Sequence, residues 1–299
     1  MDSRKVLFAL SRETKASFFP NFDHITLENA SHAWLDTSGL SSEAWEQRLR
    51  EIQPEVLVSG WFTPGLPSSV AASAEWPLRY VCHVAGSVRF FLPRRLVERG
   101  VLVTNWGAAA SYSVAEHAIL LVLGALRGTS RWRSCMQNSV TGSQHAAVAL
   151  GTRSLRGRCV GLHGFGGIAR EIVALLQPFG VTVSAWSEGV PKEFFEQHGV
   201  RRCTDLDDLF SSNDVLIECE ALTPQTEGIV TETLLRRLPE QAVFVNVGRG
   251  PLADEQALGR LAAEGRIRVA LDVYCQEPLP LDSLLLTNPD TLLSPHIGG

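Results

Sequence analysis

The chain carries no run of basic residues. Arg94-Arg95 and Arg236-Arg237 are isolated pairs, and the formal net charge is −5 over 299 residues. Proteins that grip nucleic acid by its phosphates need a basic footprint, so no nucleic-acid partner is expected. Long apolar runs are also missing. The first one stops after five residues, Val6 to Leu10, too short for the apolar core of a secretion signal. Val114 to Leu126 is interrupted by Glu116 and His117 and is too short for a bilayer, so no membrane association is expected. The six cysteines, Cys82, Cys135, Cys159, Cys203, Cys219 and Cys275, form no CxxC pair. That excludes the common zinc and redox spacings, and no metal is expected. Most lie in apolar runs, where a reduced cysteine packs as a small hydrophobe. A reducing, cytoplasmic compartment is the natural reading.

What is present is enough apolar residue, 45% of the chain, for about two ordinary cores. Short β-type runs alternate with helical spacing. In the first third the runs are Val6–Leu10, Val56–Val58, Tyr80–Val84 and Val101–Val103, with helical spacing over 41–52 and 91–99. Ser113–Arg127 reads as a long helix, apolar nearly all round and hence buried on several sides. The stretch 128–157 is polar and poorly periodic and reads as an arm. Beyond it the rhythm is regular: strands at Cys159–Leu162, Val181–Trp186, Val215–Ile217, Val243–Val247, Val269–Val273 and Thr291–Leu293, with helices over 167–177, 205–211 and 254–263. Strands alternating with helices predict a parallel, doubly wound α/β sheet.

The pattern Gly164-Phe165-Gly166-Gly167-Ile168-Ala169 stands between an apolar strand and an amphipathic helix, the context in which such a pattern binds a dinucleotide. Gly164 permits the tight turn, Gly166 lets backbone approach a pyrophosphate, and Ala169 allows close packing of helix on strand. The helix N-terminus offers unpaired N–H groups and partial positive charge to the phosphates. About 20 residues on, where an acidic residue meets the ribose, stand Ser187 and Glu188. Glu188 has two readings, an acceptor for a ribose 2′-hydroxyl or a solvated loop charge. The first favours NAD over NADP.

Asn246-Val247-Gly248-Arg249-Gly250, Asp272-Val273-Tyr274-Cys275-Gln276-Glu277-Pro278 and Ser294-Pro295-His296-Ile297-Gly298-Gly299 follow in order, with Val114-Ala115-Glu116-His117 and Leu222-Thr223-Pro224-Gln225-Thr226. Together they resemble the motifs of the NAD-dependent D-2-hydroxyacid dehydrogenases, over roughly residues 80 to 299. The resemblance implies a Rossmann-type domain over 105–299 and a smaller flavodoxin-like α/β substrate domain over 1–104, with a cleft between them. It implies hydride transfer between NAD(H) and a small D-2-hydroxy or 2-keto acid, in a homodimer formed through the region of 113–127 and the following arm. It assigns Arg249, Glu277 and His296 as catalytic. Gly164, Phe165, Gly166, Gly167, Ile168, Ser187, Glu188, Thr223, Val247, Asp272 and His296 would line the cofactor, Asp272 at the nicotinamide carboxamide. Gly86, Ser87, Arg249 and His296 would hold the substrate.

The chemistry of these residue types agrees. Arg249 can hold a carboxylate bidentately where Lys cannot. A keto oxygen that receives hydride at its carbon needs a proton, and histidine supplies one near neutral pH. A carboxylate partner, Glu277, orients the ring. Arg89 has two readings, a second substrate cation or a surface arginine, and Trp61 likewise, a pocket wall or a core aromatic.

Three departures stand out. Gly167 replaces the Arg or Lys that many relatives place beside the pyrophosphate, so one phosphate contact is expected to be lost. Cys219 and Ala221 replace a His and a Pro, and Glu218 and Glu220 are expected on one face by strand alternation. The chain ends three residues after His296, so a loosely held His296 is expected. An NAD-binding regulatory or interaction protein of the same fold, with little turnover, is the alternative function.

Overall fold

A computed structural model describes residues 4–89, 91–138 and 143–299. The chain divides into two compact units, Met1–Ala110 and Ser111–Gly299. Each is a parallel sheet with helices on its faces.

In the first unit the described strands are β1 (Arg4–Leu10), β2 (Ala30–Asp36), β3 (Val56–Ser59), β4 (Tyr80–His83) and β5 (Leu102–Thr104). Their order is β2-β1-β3-β4-β5, all parallel. This is the flavodoxin-like order. One core gathers Leu7, Ala9, Trp45, Leu49, Leu57, Val81 and Leu96, and another gathers Phe8, Leu10, Phe22 and Val58 on the opposite face. The helix Ser42–Ile52 starts on Ser41, whose hydroxyl accepts from Ala44 N, an ordinary N-cap. Strand β2 is not legible as an apolar run. It is an edge strand paired only with β1, and Ser31 and Ala33 reach solvent.

The second unit holds β6 (Cys159–His163), β7 (Thr182–Trp186), β8 (Arg201–Arg202), β9 (Val215–Glu218), β10 (Ala242–Asn246), β11 (Ile267–Leu271) and β12 (Leu292–Leu293). The order β12-β11-β10-β9-β6-β7-β8 is the Rossmann arrangement with an added strand, and it reverses direction between β6 and β9. Ligands bind at that reversal, outside the carboxyl ends of the strands. The central strands are buried on both faces, so they read as continuous apolar runs rather than alternating ones. One core lies under the helices Ser111–Arg127 and Gly167–Leu176. The other lies under Glu232–Leu235 and Glu255–Ala263.

Two expectations change. The helix Ser111–Arg127 is not buried all round: Ala115, Ala118, Val122 and Leu126 face the core, whereas Tyr112 and Leu120 lie 54% and 62% exposed. The arm is more regular than its composition suggests. It contains helices Trp132–Gln137 and Ser143–Leu150, and residues 139–142 of that expected arm lie outside the described residues.

Candidate active site

The glycine turn leaves β6 at the reversal point. Gly164 has φ +95° and lies against backbone: a Cβ there would sit 2.8 Å from the Glu220 N and Cα. No other residue fits that position without moving the β9 end. Gly166 is the residue before the helix Gly167–Leu176, and a Cβ on it would meet nothing within 4 Å. The turn is thus closed on its protein side and open toward solvent at the helix N-terminus, the shape a pyrophosphate requires. Ile168 and Gly167 are half-buried. Phe165 is buried and stacks on Phe195 at 4.4 Å, so only its backbone can serve a cofactor.

Gly167 does not leave the turn without a cation. Arg170, one helical turn on, donates from Nε to the Gly166 carbonyl at 3.1 Å and lies over the Phe194 ring. Arg170→Ala is expected to weaken NADH binding about fivefold, the scale of one exposed charge at a helix N-terminus. Fluorescence titration with NADH checks this, and an unchanged affinity would remove Arg170 from the phosphate site.

On the adenosine side, Ser187 is buried and donates to Glu220 Oε2 at 2.8 Å, while Glu188 is exposed. The expected single face for Glu218 and Glu220 does not form, because β9 ends at Glu218 and alternation ends with it. Glu218 is fully buried and pairs with fully buried His163, whose Nδ1 lies 2.5 Å from Glu218 Oε2. Its other oxygen accepts from Glu220 N at 2.9 Å. Burial works against charge on His163, but the Glu218 charge and hydrogen bond, with Glu220 behind them, outweigh it and hold the imidazole above its ordinary 6.5. This pair ties the β6 end to the β9 end directly beneath the glycine turn. Sequence reading missed His163, although a lone histidine inside the apolar run before the turn was the available signal.

The remaining residues follow the other strands of the sheet. Arg249 follows β10 and is half-buried, donating to the Gly248 carbonyl at 2.6 Å. Asn246 braces this turn, accepting from Gly248 N and donating to the Arg249 carbonyl. Gly250 has no room for a side chain, since a Cβ would fall 1.9 Å from the Tyr274 carbonyl carbon. That contact holds the Arg249 turn against the β11 end. Val247 is buried and meets the Glu218 carbonyl through its N–H. Thr223 closes a short turn with Thr226, accepting from Gln225 N and Thr226 N.

His296 Nδ1 lies 2.7 Å from Glu277 Oε2, and Glu277 Oε1 accepts from Tyr274 N at 3.1 Å. The ring is therefore held by a carboxylate that is itself held by backbone. Both side chains are about 40% exposed, at 42% and 39%. His296 has φ +55°, uncommon for a non-glycine residue. Asp272 holds the residues on both sides of it. Its buried carboxylate accepts from Ser294 Oγ at 2.6 Å, Ile297 N at 3.0 Å and Gly298 N at 2.9 Å. His117 Nε2 stands 2.8 Å from the same Ser294 hydroxyl, and Ser113 Oγ donates to the Gly298 carbonyl. The expected looseness around His296 is not found, because residues 294–298 are tied on both sides. In this arrangement Asp272 meets donors of its own chain, which makes it a positioning residue. Its strand-end location was legible, and its partners were not.

In the first unit, Gly86 and Ser87 form an exposed loop after β4. Among the described residues their N–H groups have no acceptor. Asn105 Nδ2 donates to the Gly86 carbonyl and braces the loop.

The family model described as the D-isomer specific 2-hydroxyacid dehydrogenase, NAD binding domain, matches residues 119–298. The chain is 33% identical over 262 residues, 87% of its length, to a D-3-phosphoglycerate dehydrogenase of Methanocaldococcus jannaschii. It is 30% identical over 238 residues, 79% of its length, to the 4-methyl-2-oxopentanoate reductase A of Aspergillus oryzae. It spans about half (48%) of the first relative's length and 70% of the second's. A crystal structure of a glyoxylate reductase from Paecilomyes thermophila shares the fold, with a TM-score of 0.80 over 100% of this chain and 89% of that one at 23% identity. The glycine turn between β6 and its helix, and the family match over residues 119–298, which covers the strand ends of the second unit, place this chain in the D-isomer specific 2-hydroxyacid dehydrogenase family, with an NAD-binding domain.

Proposed function

We propose that this protein reduces a 2-keto acid to the D-2-hydroxy acid, or runs the reverse reaction, with NAD(H). The observation that carries the proposal is the His296–Glu277 pair, 2.7 Å apart, at the same sheet edge as Arg249 and the open glycine turn. The bound dinucleotide supplies the hydride. Arg249 holds the substrate carboxylate and polarises the keto group. Glu277 accepts a hydrogen bond from the Nδ1–H of His296, which leaves the Nε2–H of the protonated ring to give its proton to the keto oxygen. In oxidation, neutral His296 takes the hydroxyl proton at the same nitrogen. In the first unit, the exposed Gly86–Ser87 loop offers N–H groups that suit a carboxylate.

The preference for NAD over NADP rests on carboxylates. Glu220 and Glu188 stand beside Ser187 at the ribose end, where a 2′-phosphate would meet negative charge. The six cysteines are all free, which suits a reducing cytoplasm. Among the described residues no helix is long and apolar enough to cross a membrane. Steady-state turnover of glyoxylate, hydroxypyruvate and pyruvate with NADH tests the reading. Tight NADH binding with no turnover of any of them would favour the regulatory alternative.

The exposed apolar residues of the helix Ser111–Arg127 and of the arm support a homodimer. Leu120, Trp132, Met136 and Val148 are each at least half exposed, more apolar surface than one region of a monomer usually shows. Leu120→Asp is expected to convert the dimer to monomer in size-exclusion chromatography with light scattering. A monomeric parent protein would contradict the assignment.

A further inference from the structure

Three aromatic rings meet at the carboxyl edge of the first unit's sheet. Phe18 ends the helix that follows β1, Trp61 lies just after β3, and Trp106 lies just after β5. The ring centroids stand 5.3 to 5.5 Å apart in every pair. This is not a core. Trp61 is 51% exposed and Phe18 36%, and neighbouring Phe62 is 59% exposed. Nor is it a stray surface patch, because the backbone of one member, Trp106, is bonded into the Gly86–Ser87 loop. Trp106 N donates to the Ala85 carbonyl at 3.1 Å, and Asn105, its neighbour, holds the Gly86 carbonyl. The loop that offers free N–H groups to a carboxylate and the segment that presents an indole are thus one hydrogen-bonded structure.

We propose that Phe18, Trp61 and Trp106 receive the side chain of the substrate, and that the preferred substrates are 2-keto acids bearing an aromatic or branched aliphatic group. The inference rests on the dehydrogenase reading above and adds the substrate class to it. An exposed aromatic cluster of this size is costly to leave in water and is kept where it meets an apolar partner. A carboxylate held at Gly86–Ser87 fixes one end of a small molecule. The group on the far side of its keto carbon then has an apolar wall to rest on. Glyoxylate, with only hydrogen there, gains nothing from the wall. A pocket contact of even one methylene changes selectivity about tenfold or more, so a phenyl or isobutyl group has a clear advantage.

The test is kcat/KM with NADH for glyoxylate, pyruvate, 4-methyl-2-oxopentanoate and phenylpyruvate, in the parent protein, Trp61→Ala and Trp61→Phe. The parent is expected to prefer phenylpyruvate to glyoxylate by about 100-fold. Trp61→Ala should cut that ratio about tenfold, mainly through KM, and Trp61→Phe should restore most of it. Because Trp61 is half exposed, a melting curve close to the parent's is expected and excludes misfolding as the cause. A preference for glyoxylate, or a ratio that Trp61→Ala leaves unchanged, overturns the substrate class while leaving hydride transfer intact. No turnover of any keto acid overturns both. Calorimetry of oxamate against N-phenyloxamate on the NADH-loaded protein gives a readout independent of turnover. The phenyl compound should bind at least tenfold tighter, and equal affinities contradict the proposal.

Discussion

His296→Ala is expected to lower kcat for 2-keto acid reduction by about 10²–10⁴-fold, the usual contribution of a positioned general acid. NADH affinity should change far less, because the proposed phosphate site, the glycine turn and its helix N-terminus, lies outside the His296 segment. The size of the effect follows from what no neighbour can replace. His296 is held at φ +55° by the bonds of Ile297 and Gly298 to Asp272, and its ring is aimed by Glu277. Glu277→Gln keeps an acceptor for Tyr274 N but removes the charge facing the ring. Its loss should be smaller than that of His296→Ala, with a changed pH profile of kcat. Stopped-flow NADH oxidation separates the two, because His296→Ala slows the chemical step itself. Full activity in His296→Ala would sink the mechanism.

His163→Leu is expected to destabilise the second unit by about 3–5 kcal/mol, the cost of leaving a buried charge without its partner. Glu218 is fully buried and faces His163. Once the imidazole is gone, its charge keeps only the Glu220 N–H. The double variant His163→Leu/Glu218→Leu should recover much of the loss, because an apolar pair of similar volume removes the burial cost of both charges. The pH dependence has a definite sign. Folded His163 is held above its ordinary 6.5 by Glu218 against the effect of burial. A raised folded value means that the stabilisation is complete below about pH 6.5 and is lost as pH rises through the folded value. Urea unfolding of the parent and the double variant from pH 5.5 to 9 reads this directly. The parent should lose stability relative to the double variant on the alkaline side, and a pH-independent difference would mean that the pair folds uncharged. The same variants should also weaken NADH binding, since the pair fastens the strand ends that carry Gly164 and Glu220.

Much of this was legible in the residues alone. Strands buried on both faces, such as β9 and β10, read as continuous runs of Val, Leu and Ile. Gly164 was legible because only glycine fits a turn at that angle against a neighbouring strand. Arg249, Glu277 and His296 were legible through motif order, which locates residues at strand ends without giving distances. Other features were hidden for physical reasons. Strand β2 lies at a sheet edge and has no need of an apolar run. His163 and Glu218 are 55 residues apart in sequence, and nothing local announces that β6 and β9 are neighbours. Asp272 could be placed at its strand end, but its hydrogen bonds to residues 294–298 depend on how the chain returns after β12. Arg170 lies one turn beyond the position where a cation was sought.

In the proposed reaction hydride passes between a nicotinamide and the 2-carbon of a keto acid. The direct measurement uses NADH deuterated at C4 with a 2-keto acid, followed by isotope analysis and chiral chromatography of the product. Deuterium at C2 of a D-2-hydroxy acid, absent with Arg249→Ala, is the predicted result. A protein that binds NADH at the glycine turn yet returns the keto acid unreduced and unlabelled would contradict it.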